Sequence, residues 1–489
     1  MIDTKKNSQE YKLENVLELY KKGKYLEVIR ELKLLEKEIN NPQIYWYLSH
    51  TYFKLHNYTN SLINVKKFIK SNSKDSINLN FLGEIYLEIN QIDKALKSFE
   101  EAHLLDKKNK SVILNLIKTN LNIGNINKSE KLLKNLLKEE PNNYGYLHTL
   151  TKIDKKYLKE ISIDKLEKYD DNSNKFNQLY SQLLVAAKKE IKKDYRSEIK
   201  HLINAHEIYY NLKKIPTNQQ FNYYLNLLPQ FVEKFLNVKA SVNKNIRPIF
   251  IMGLPRSGTT LTERLILSGN KSIQGLGETD VFDKVFFSKQ IVKNHDDKHL
   301  SSNFNFNSDD INNLINDLVK QYEEQGLKQN NYLFTDKSIA NFLYIDVINK
   351  IFPNSKFIYC HRNPLANIVG ILKTFLPNVL WSHSLKKTFE VFNFYYQKLE
   401  EVQKNKNIEF FQINLEELSS NPQLVSKNLY KFLDVKWSQD VLKFNKKEFV
   451  TKTATNVQIR NDIFEHNFDY KSNYLKIFKD LGFKYDWLI

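Results

Sequence analysis

One stretch in the middle of the chain constrains the fold more than any other, because an apolar run leads directly into a glycine-flanked turn. Residues 248–253 are apolar and partly β-branched, which predicts a buried strand. The turn runs from Gly253 to Gly258, and a helical pattern starts at Leu261. Backbone N–H groups and a helix dipole converge in such a strand–loop–helix unit, so it predicts a cradle for a phosphate-like anion.

The loop has the spacing of a nucleotide-binding P-loop but lacks the lysine of that motif. Thr259 and Thr260 occupy the positions where the motif requires Lys followed by Ser or Thr. Arg256 supplies a positive charge from inside the loop instead. We therefore expect binding of a phosphate-like group, with ATP a poor candidate. The alternative is an ordinary turn in which Ser257 caps the helix.

Length and composition exclude several classes of protein. A chain of 489 residues is too long for one ordinary core, so two or three domains are expected. No run of about 18 apolar residues occurs, so we expect no membrane-spanning helix, and the charged N-terminus predicts no secretory signal. Cys360 is the only cysteine, which fits a reducing cytoplasm, and its apolar strand predicts a buried structural thiol.

The net charge of +18 raises the possibility of a nucleic-acid partner. The lysines, however, are spread through amphipathic helices, and no nucleic-acid-binding motif occurs. A solvated, lysine-rich surface explains the charge better, and it favours anionic ligands by electrostatic steering. We expect neither a nucleic-acid nor a membrane partner.

The first 150 residues repeat with a period of 34. Columns of apolar and small residues recur at this spacing: Leu48, Leu82 and Leu116; Tyr58, Ile92 and Ile126; Ser61, Ala95 and Ser129. The pattern resembles the tetratricopeptide repeat. The resemblance implies helix pairs stacked into an all-α superhelix with a concave surface. Whether that surface binds a partner or only supports the rest of the chain stays open.

The second half follows a different pattern, in which short apolar strands alternate with helices from Arg247 onward. This alternation predicts an α/β domain with a parallel sheet. The candidate strands are 248–253, 332–335, 356–361 and 408–413. We therefore predict three parts: tetratricopeptide repeats in 1–150, degenerate helical repeats or a linker in 151–241, and a P-loop-like α/β domain in 242–489.

The glycine-flanked loop resembles the 5′-phosphosulfate loop of the sulfotransferases that use 3′-phosphoadenylyl sulfate (PAPS). The residues that carry this resemblance are Pro255, Arg256, Ser257, Gly258, Thr259 and Thr260. A second strand ends at Arg362, ahead of a good N-cap and a proline, and resembles the family's 3′-phosphate motif. The family's serine eight residues later is Gly370 here, so we expect Asn367 to replace its hydrogen bond.

Other segments resemble particular sulfotransferases. Glu278 lies in a Gly-Glu-Thr sequence that in tyrosylprotein sulfotransferases contains the catalytic base. Lys337 precedes an Asn-Phe-Leu sequence, as does the lysine that faces the sulfuryl group in repeat-fused bacterial members. Gln458 and Arg460 resemble a late segment that closes over the nucleotide. Relatives have Tyr-Glu-Asp-Leu where this chain has Asn414 and the residues after it, so one contact there is in doubt.

The resemblance implies a sulfotransferase that moves the sulfuryl group from PAPS to a hydroxyl acceptor without a metal. It implies Glu278 as the general base, with Arg256 and Lys337 stabilising the developing charge. The acceptor stays open between protein tyrosine, a carbohydrate and a small phenol or alcohol, and a peptide or protein held by the repeats is one candidate. The alternatives are a nucleotide-dependent kinase or NTPase with a degenerate P-loop and a non-catalytic repeat interaction protein.

Overall fold

The chain divides into two compact units in a computed structural model. One unit is Met1–Asn120 with Lys320–Gly326, and the other is Leu121–Val319 with Leu327–Ile489. The structure describes the residues in the following ranges: 13–71, 74–159, 161–169, 173–239, 242–243, 245–286, 306–328, 333–405, 408–446, 453 and 471–488. Gln458 and Arg460, the two candidate nucleotide contacts near the C-terminus, lie outside these ranges.

Paired helices make up the N-terminal part, as the 34-residue period predicts. The helices are α1 (Tyr25–Glu38), α2 (Gln43–Lys54), α3 (Tyr58–Ser71), α4 (Ser76–Glu88), α5 (Ile92–Leu105) and α6 (Lys110–Ile123). Small residues allow the close approach of paired helices, since a Cβ atom on Gly83 of α4 would lie 2.5 Å from the Phe99 ring of α5. Ala95 of α5 is likewise fully buried.

Helices also open the second unit. They are α7 (Ile126–Glu139), α8 (Tyr144–Ile153), α9 (Lys156–Lys159), α10 (Ile163–Glu167), α11 (Lys175–Ile191), α12 (Tyr195–Leu212), α13 (Lys214–Asn222), a π-helical turn (Tyr223–Leu227) and α14 (Leu228–Leu236). The pair α11–α12 packs closely. His206 of α12 is buried and its Nε2 lies 2.9 Å from the Leu372 carbonyl oxygen, so it packs against the α/β part of the same unit.

A five-stranded parallel sheet forms the centre of the second unit. Its strands are β1 (Arg247–Met252), β2 (Gln274–Gly275), β3 (Leu333–Asp336), β4 (Lys356–His361) and β5 (Phe410–Asn414). Their order is β2-β3-β1-β4-β5, so β1 lies at the centre. The four predicted strands are confirmed within two residues at each end. The two-residue strand β2 was not predicted, because so short a strand carries no apolar run.

Further helices lie between these strands in the chain and after the last one. They are α15 (Thr259–Gly269), α16 (Ser308–Glu324), α17 (Ile345–Ile351), α18 (Pro364–Thr374), α19 (Leu385–Lys404), α20 (Leu415–Ser420), α21 (Pro422–Phe432) and α22 (Lys471–Asp480). Four 3₁₀ turns add to them: Ile339–Tyr344, Leu380–His383, Gln439–Lys446 and Asp486–Leu488. Within the described ranges no helix is both long and apolar enough to cross a bilayer.

Both faces of the central strands are buried, which is typical of a parallel sheet covered by helices. Ile251 of β1, Ile358 of β4 and Ile413 of β5 belong to one apolar cluster with residues of α15 and α21. Cys360 lies in this cluster and is fully buried, and burial raises the pKa of its thiol to about 12. The prediction of a structural cysteine is therefore confirmed.

Candidate active site

The loop between β1 and α15 needs its two glycines for different reasons. A Cβ atom on Gly253 would lie 2.4 Å from the Cys360 carbonyl oxygen, so the loop and β4 approach too closely for any side chain. Gly258 is the N-cap of α15 and has a left-handed φ of 95°, which glycine adopts without steric cost. The helix begins at Thr259, two residues earlier than the apolar pattern predicts.

Ser257 does not cap the helix, contrary to the alternative considered for an ordinary turn. Its backbone N–H donates to the Leu254 carbonyl oxygen at 3.2 Å, which closes the turn. Its hydroxyl is buried, and Oγ has no hydrogen-bond partner among the residues that the structure describes. A buried hydroxyl without a partner is uncommon in folded proteins. Ser257 thus keeps a hydrogen-bonding group available inside the loop.

Arg256 lies at the tip of the loop in a conformation that few residues adopt. Its φ is 73°, and a left-handed backbone at a non-glycine residue costs about 1–3 kcal/mol and clusters at functional sites. Burial, together with the charge of Arg362, lowers the pKa of the Arg256 guanidinium to about 10. Two mutually repelling guanidinium groups at one place favour the binding of an anion between or beside them.

Arg362 follows β4 and lies beside the N-terminus of α18, as predicted. Asn363 caps this helix, accepting from the Ala366 N–H at 3.1 Å, and Pro364 is its first residue. Arg362 Nη1 donates to the Arg256 carbonyl oxygen at 3.3 Å, which connects this guanidinium to the loop. Its Nε is buried and makes no hydrogen bond within the described chain. Burial lowers the pKa of Arg362, against the opposing charge of Glu416.

Sequence reasoning missed Glu416, which lies in the first turn of α20 after β5. Its Oε1 is 3.8 Å from Arg362 Nε and accepts from the Asn363 N–H at 3.2 Å. The carboxylate therefore orients Arg362 from the neighbouring strand end. Asn414 caps α20 by accepting from the Glu417 N–H at 2.9 Å. An acidic residue just after a strand adjacent to β4 was the only available signal.

Asn367 supports the loop from α18. Its Nδ2 donates to the Pro255 carbonyl oxygen at 2.8 Å, while its Oδ1 is buried and accepts no hydrogen bond from any described residue. One turn further along, a Cβ atom on Gly370 would lie 3.5 Å from Arg256 Cβ, which is an ordinary contact distance. The α18 face that carries Asn367 and Gly370 therefore packs directly on the loop.

Glu278 and Lys337 form an ion pair on the other side of β1. Lys337 Nζ lies 2.8 Å from Glu278 Oε1, and the Lys337 N–H donates to the Gly277 carbonyl oxygen at 2.9 Å. The Lys337 side chain is 2% exposed and that of Glu278 is 37% exposed, so the carboxylate reaches solvent while the ammonium does not. Burial opposes the charge of Lys337, but the carboxylates of Glu278 and Glu263 outweigh it and raise the pKa of Lys337.

Hydrogen bonds fix the position of this ion pair relative to the loop. Glu263 of α15 accepts from Thr335 Oγ1 at 2.8 Å and from the Gly277 N–H at 3.2 Å. Thr279 Oγ1 donates to Asp336 Oδ2 at 2.8 Å. The segments after β2 and β3 are thus connected to each other and to the helix that follows the loop.

The predicted site residues lie along one edge of the sheet, at the carboxyl ends of the strands. In spatial order the edge presents Glu278 after β2, Lys337 after β3, the loop after β1, Arg362 after β4 and Glu416 after β5. Parallel strands lie about 4.8 Å apart, so the edge spans roughly 20 Å. Ligands of open parallel sheets bind at this edge. The edge is long enough for a nucleotide with a second substrate beside it.

Lys152 of α8 is a further cation that the sequence did not reveal. Its Nζ donates to the Thr374 carbonyl oxygen at the end of α18, at 3.2 Å. Partial desolvation and the charge of Arg256 lower the pKa of Lys152, although the residue is exposed to solvent. Helix α8 therefore contributes the positive charge of Lys152 near the loop. Only the tertiary fold brings this side chain to that place.

Two family models match parts of the chain. Residues 248–439 match the model of a sulfotransferase family. Residues 79–152 match a tetratricopeptide repeat model. The chain therefore contains a sulfotransferase-family domain and tetratricopeptide repeats.

Individual relatives are distant. An uncharacterized protein of Aquifex aeolicus (strain VF5) is 25% identical over 305 residues, which are 59% of this chain and 38% of that protein. The chain thus matches well under half of the relative's length. The sulfotransferase domain of the Synechococcus PCC 7002 olefin synthase is 15% identical, covers 50% of this chain and 97% of that domain, and has a TM-score of 0.28. Sulfotransferase STF1 of Mycobacterium tuberculosis H37Rv is 13% identical to this chain. The match covers 64% of this chain and 96% of STF1, with a TM-score of 0.29.

Proposed function

We propose that this chain transfers a sulfuryl group from PAPS to a hydroxyl acceptor. The observation that carries the proposal is the arrangement around Arg256. An anion-binding loop without the P-loop lysine has a second guanidinium, Arg362, on one side. On its other side lies the Lys337–Glu278 ion pair. In this arrangement the Arg362 end of the sheet edge would bind the nucleotide, and the reaction would take place at the Lys337–Glu278 end.

The polar atoms around the loop fit the donor. Ser257 Oγ and Arg362 Nε are buried donors whose hydrogen bonds no described residue accepts. Phosphate and sulfuryl oxygens are acceptors, so these atoms suit an anionic ligand. The amides of residues 255–260 would hold the 5′-phosphosulfate and Arg362 the 3′-phosphate. Asn367 already uses one N–H on the Pro255 carbonyl oxygen, so its second N–H is what it can offer to a phosphate.

PAPS supplies an activated sulfuryl group, and the protein supplies a base and positive charge. In the proposed step the acceptor oxygen bonds to sulfur, the bond from sulfur to the 5′-phosphate oxygen breaks, and 3′,5′-ADP leaves. The hydroxyl proton passes to the Glu278 carboxylate, which reaches solvent and so can meet an acceptor. Negative charge then grows on the departing phosphate oxygen, where Arg256 and the loop amides stabilise it.

The ion pair gives Lys337 a role that changes during the reaction. Before transfer its charge is balanced by Glu278 at 2.8 Å. Once Glu278 accepts the proton, the carboxyl is neutral and the Lys337 ammonium has lost that partner. Because Lys337 is buried, its charge is poorly screened by water and acts strongly on the sulfuryl oxygens beside it. Stabilisation therefore increases as the transition state forms.

The proposed acceptor is a peptide or protein that the tetratricopeptide repeats hold, with the hydroxyl of a tyrosine as the group that reacts. Repeat superhelices present extended concave surfaces that suit polypeptide ligands.

We also propose that the reaction takes place in the cytoplasm, where a lone reduced cysteine is typical. If the repeats hold the acceptor, a tyrosine-containing protein substrate will have a much lower KM than a short peptide with the same tyrosine. Equal KM values would indicate that the repeats only support the fold.

The test of the proposal is a transfer assay with the full-length chain and radiolabelled PAPS. Acceptors of each class are supplied separately: a tyrosine peptide, 2-naphthol and a methyl glycoside. We expect label in at least one acceptor and release of 3′,5′-ADP, with both lost in Arg256→Ala. Mg²⁺-dependent hydrolysis of ATP without any transfer from PAPS would instead identify a nucleotide triphosphatase.

A further inference from the structure

Asn341 is unusual because its side-chain amide is buried but forms no hydrogen bond with the part of the chain that the structure describes. The residue is 1% exposed, and neither Oδ1 nor Nδ2 has a partner among the residues that the structure describes. Buried amides in folded proteins nearly always have partners, because burying one without them is unfavourable. The amide of Asn341 therefore has hydrogen-bonding capacity for a molecule from outside the chain.

The other polar side chains of the same segment are satisfied. Thr335 Oγ1 donates to Glu263 at 2.8 Å, and Lys337 Nζ donates to Glu278 at 2.8 Å. Ser338 Oγ donates to Asp336 Oδ1 at 2.6 Å. The segment is therefore built with specific polar contacts, and loose packing does not explain the free amide.

The segment connects Asn341 to the Glu278 side of the site. Asn341 lies in the 3₁₀ turn Ile339–Tyr344, which follows Lys337 and packs against β1. The Asn341 N–H donates to the Ser338 carbonyl oxygen at 3.2 Å. Ser338 Oγ in turn accepts from the N–H groups of Thr279 at 3.0 Å and Asp280 at 2.8 Å, immediately after Glu278. Asn341 is thus connected, through Ser338, to the segment that carries the proposed base.

The residue after Asn341 reaches the opposite side of β1. Phe342 stacks on Tyr395, with ring centroids 4.0 Å apart. The Tyr395 ring is 6.1 Å from that of Tyr359 in β4. The 3₁₀ turn therefore extends from the Glu278 side of β1 toward β4. Asn341 lies between these two contacts in the chain.

The chemistry of the free amide restricts its partner. Nδ2 donates and Oδ1 accepts, so full satisfaction needs a group with one acceptor and one donor side by side. The sulfuryl and phosphate groups only accept and would leave Oδ1 unsatisfied. A neutral amide or a second hydroxyl, carried by the acceptor next to its reacting hydroxyl, fits both atoms.

We propose that Asn341 is an acceptor-binding residue, which pairs with a neutral donor–acceptor group adjacent to the hydroxyl that receives the sulfuryl group. This inference rests on the proposed function, since it assumes that an acceptor binds beside Glu278. It adds a specificity element: acceptors that carry such a group bind better than those that carry only the reacting hydroxyl.

The first test separates binding from folding. Asn341→Leu removes an unsatisfied amide at nearly constant size, so the thermal midpoint of the free protein stays unchanged or rises. The matched control is Asn177→Leu in the same unit, because Asn177 Oδ1 accepts from the Tyr144 N–H at 2.6 Å and Nδ2 donates to the Asn142 carbonyl oxygen at 2.8 Å. The control lowers the midpoint. A similar drop in Asn341→Leu would show that the fold itself uses this amide, and would overturn the proposal.

The second test measures acceptor binding by calorimetry in the presence of 3′,5′-ADP, so that no transfer is required. N-acetyltyrosinamide and p-cresol share a phenol, but only the first carries amides; methyl glucoside provides neighbouring hydroxyls. Asn341→Leu weakens N-acetyltyrosinamide or methyl glucoside by about 10-fold and leaves p-cresol unchanged, which also distinguishes an amide from a second hydroxyl as the partner. Unchanged binding of all three overturns the inference alone. Failure of the wild-type chain to bind 3′,5′-ADP would instead refute the proposed function.

Discussion

On the Lys337 side of β1 the charged side chains form a close ion pair, whereas on the Arg362 side the guanidinium keeps a buried N–H without a hydrogen bond to the described chain. Lys337 and Glu278 satisfy each other at 2.8 Å. By contrast, Arg362 Nε and Asn367 Oδ1 are buried without hydrogen bonds from other described residues. The Lys337–Glu278 ion pair must separate before either group can act, which suits proton transfer. The unused hydrogen-bonding atoms of Arg362 and Asn367 suit the binding of a ligand.

The loop lies between these two sides and takes part in both. Arg256 receives a hydrogen bond from Arg362 on its backbone oxygen and lies next to Gly370 of α18. Glu263 connects the helix that follows the loop to the segment of Glu278. Substitutions on the Lys337 side should therefore lower turnover most, those in the loop should lower it less, and those on the Arg362 side should weaken nucleotide binding.

The largest effect is expected for Glu278→Gln. The amide keeps the size of the side chain and its hydrogen bond to Lys337 but cannot accept the hydroxyl proton, so turnover falls by about 10²–10⁴. Affinity for 3′,5′-ADP, measured by calorimetry, stays the same. The control is Glu417→Gln, an exposed glutamate beyond β5, which leaves turnover intact. A loss of nucleotide affinity equal to the loss of turnover would remove the distinction between the two sides.

Arg256→Ala should follow, with kcat lower by about 10²–10³, the size expected for loss of one preorganised charge at the transition state. Steady-state kinetics with PAPS as the varied substrate separate kcat from KM. Arg247→Ala serves as the control, because Arg247 is exposed at the opposite end of the same strand. A change in KM alone would mean that the loop binds the donor and does not stabilise the transition state.

Arg362→Ala tests the nucleotide-binding side. A charge-assisted hydrogen bond contributes about 1.5–3 kcal/mol, so the Kd for 3′,5′-ADP rises by roughly 10–150-fold. ADP, which lacks the 3′-phosphate, binds nearly as before. Equal losses for both nucleotides would place Arg362 elsewhere on the donor and contradict its assignment to the 3′-phosphate.

The smallest effect concerns Gly370, which stands where related sulfotransferases have a serine. A Cβ atom there meets Arg256 Cβ at 3.5 Å, so a small side chain fits. Gly370→Ser adds a hydroxyl beside Arg256 and should tighten 3′,5′-ADP by about 2–10-fold, the value of one neutral hydrogen bond. Gly370→Ala is the control, since it adds the carbon without the hydroxyl. An equal gain in both variants would be a helix effect and not a phosphate contact.

Local sequence was sufficient for the framework of the site. The apolar runs before Gly253 and Arg362 predicted β1 and β4, and the Asn363–Pro364 pair predicted the start of α18, because these signals depend on neighbouring residues only. Because the strands are parallel, the loop, the Arg362 guanidinium and the Glu278 carboxylate all lie at the same edge of the sheet. The start of α15 was predicted less well, because the helix begins at Thr259 after a left-handed Gly258 and not at Leu261.

Contacts between distant segments could not be predicted in this way. Glu416 reaches Arg362 only because β5 pairs with β4. Lys152 reaches the end of α18 from 222 positions away. The free amide of Asn341 is recognisable only once every neighbouring side chain has been placed. Each of these depends on the tertiary fold, which carries no short-range signature in the sequence.

The most direct test of the account is a calorimetric titration of the full-length wild-type chain with 3′,5′-ADP and, in parallel, with ADP. The two ligands differ in the 3′-phosphate that Arg362 is proposed to bind. We expect 3′,5′-ADP to bind at least about 10-fold more tightly than ADP, as for a charge-assisted contact, and without added Mg²⁺. Equal affinities, or tighter binding of ADP that requires Mg²⁺, would contradict a PAPS-dependent sulfotransferase and indicate a nucleotide-dependent kinase or NTPase.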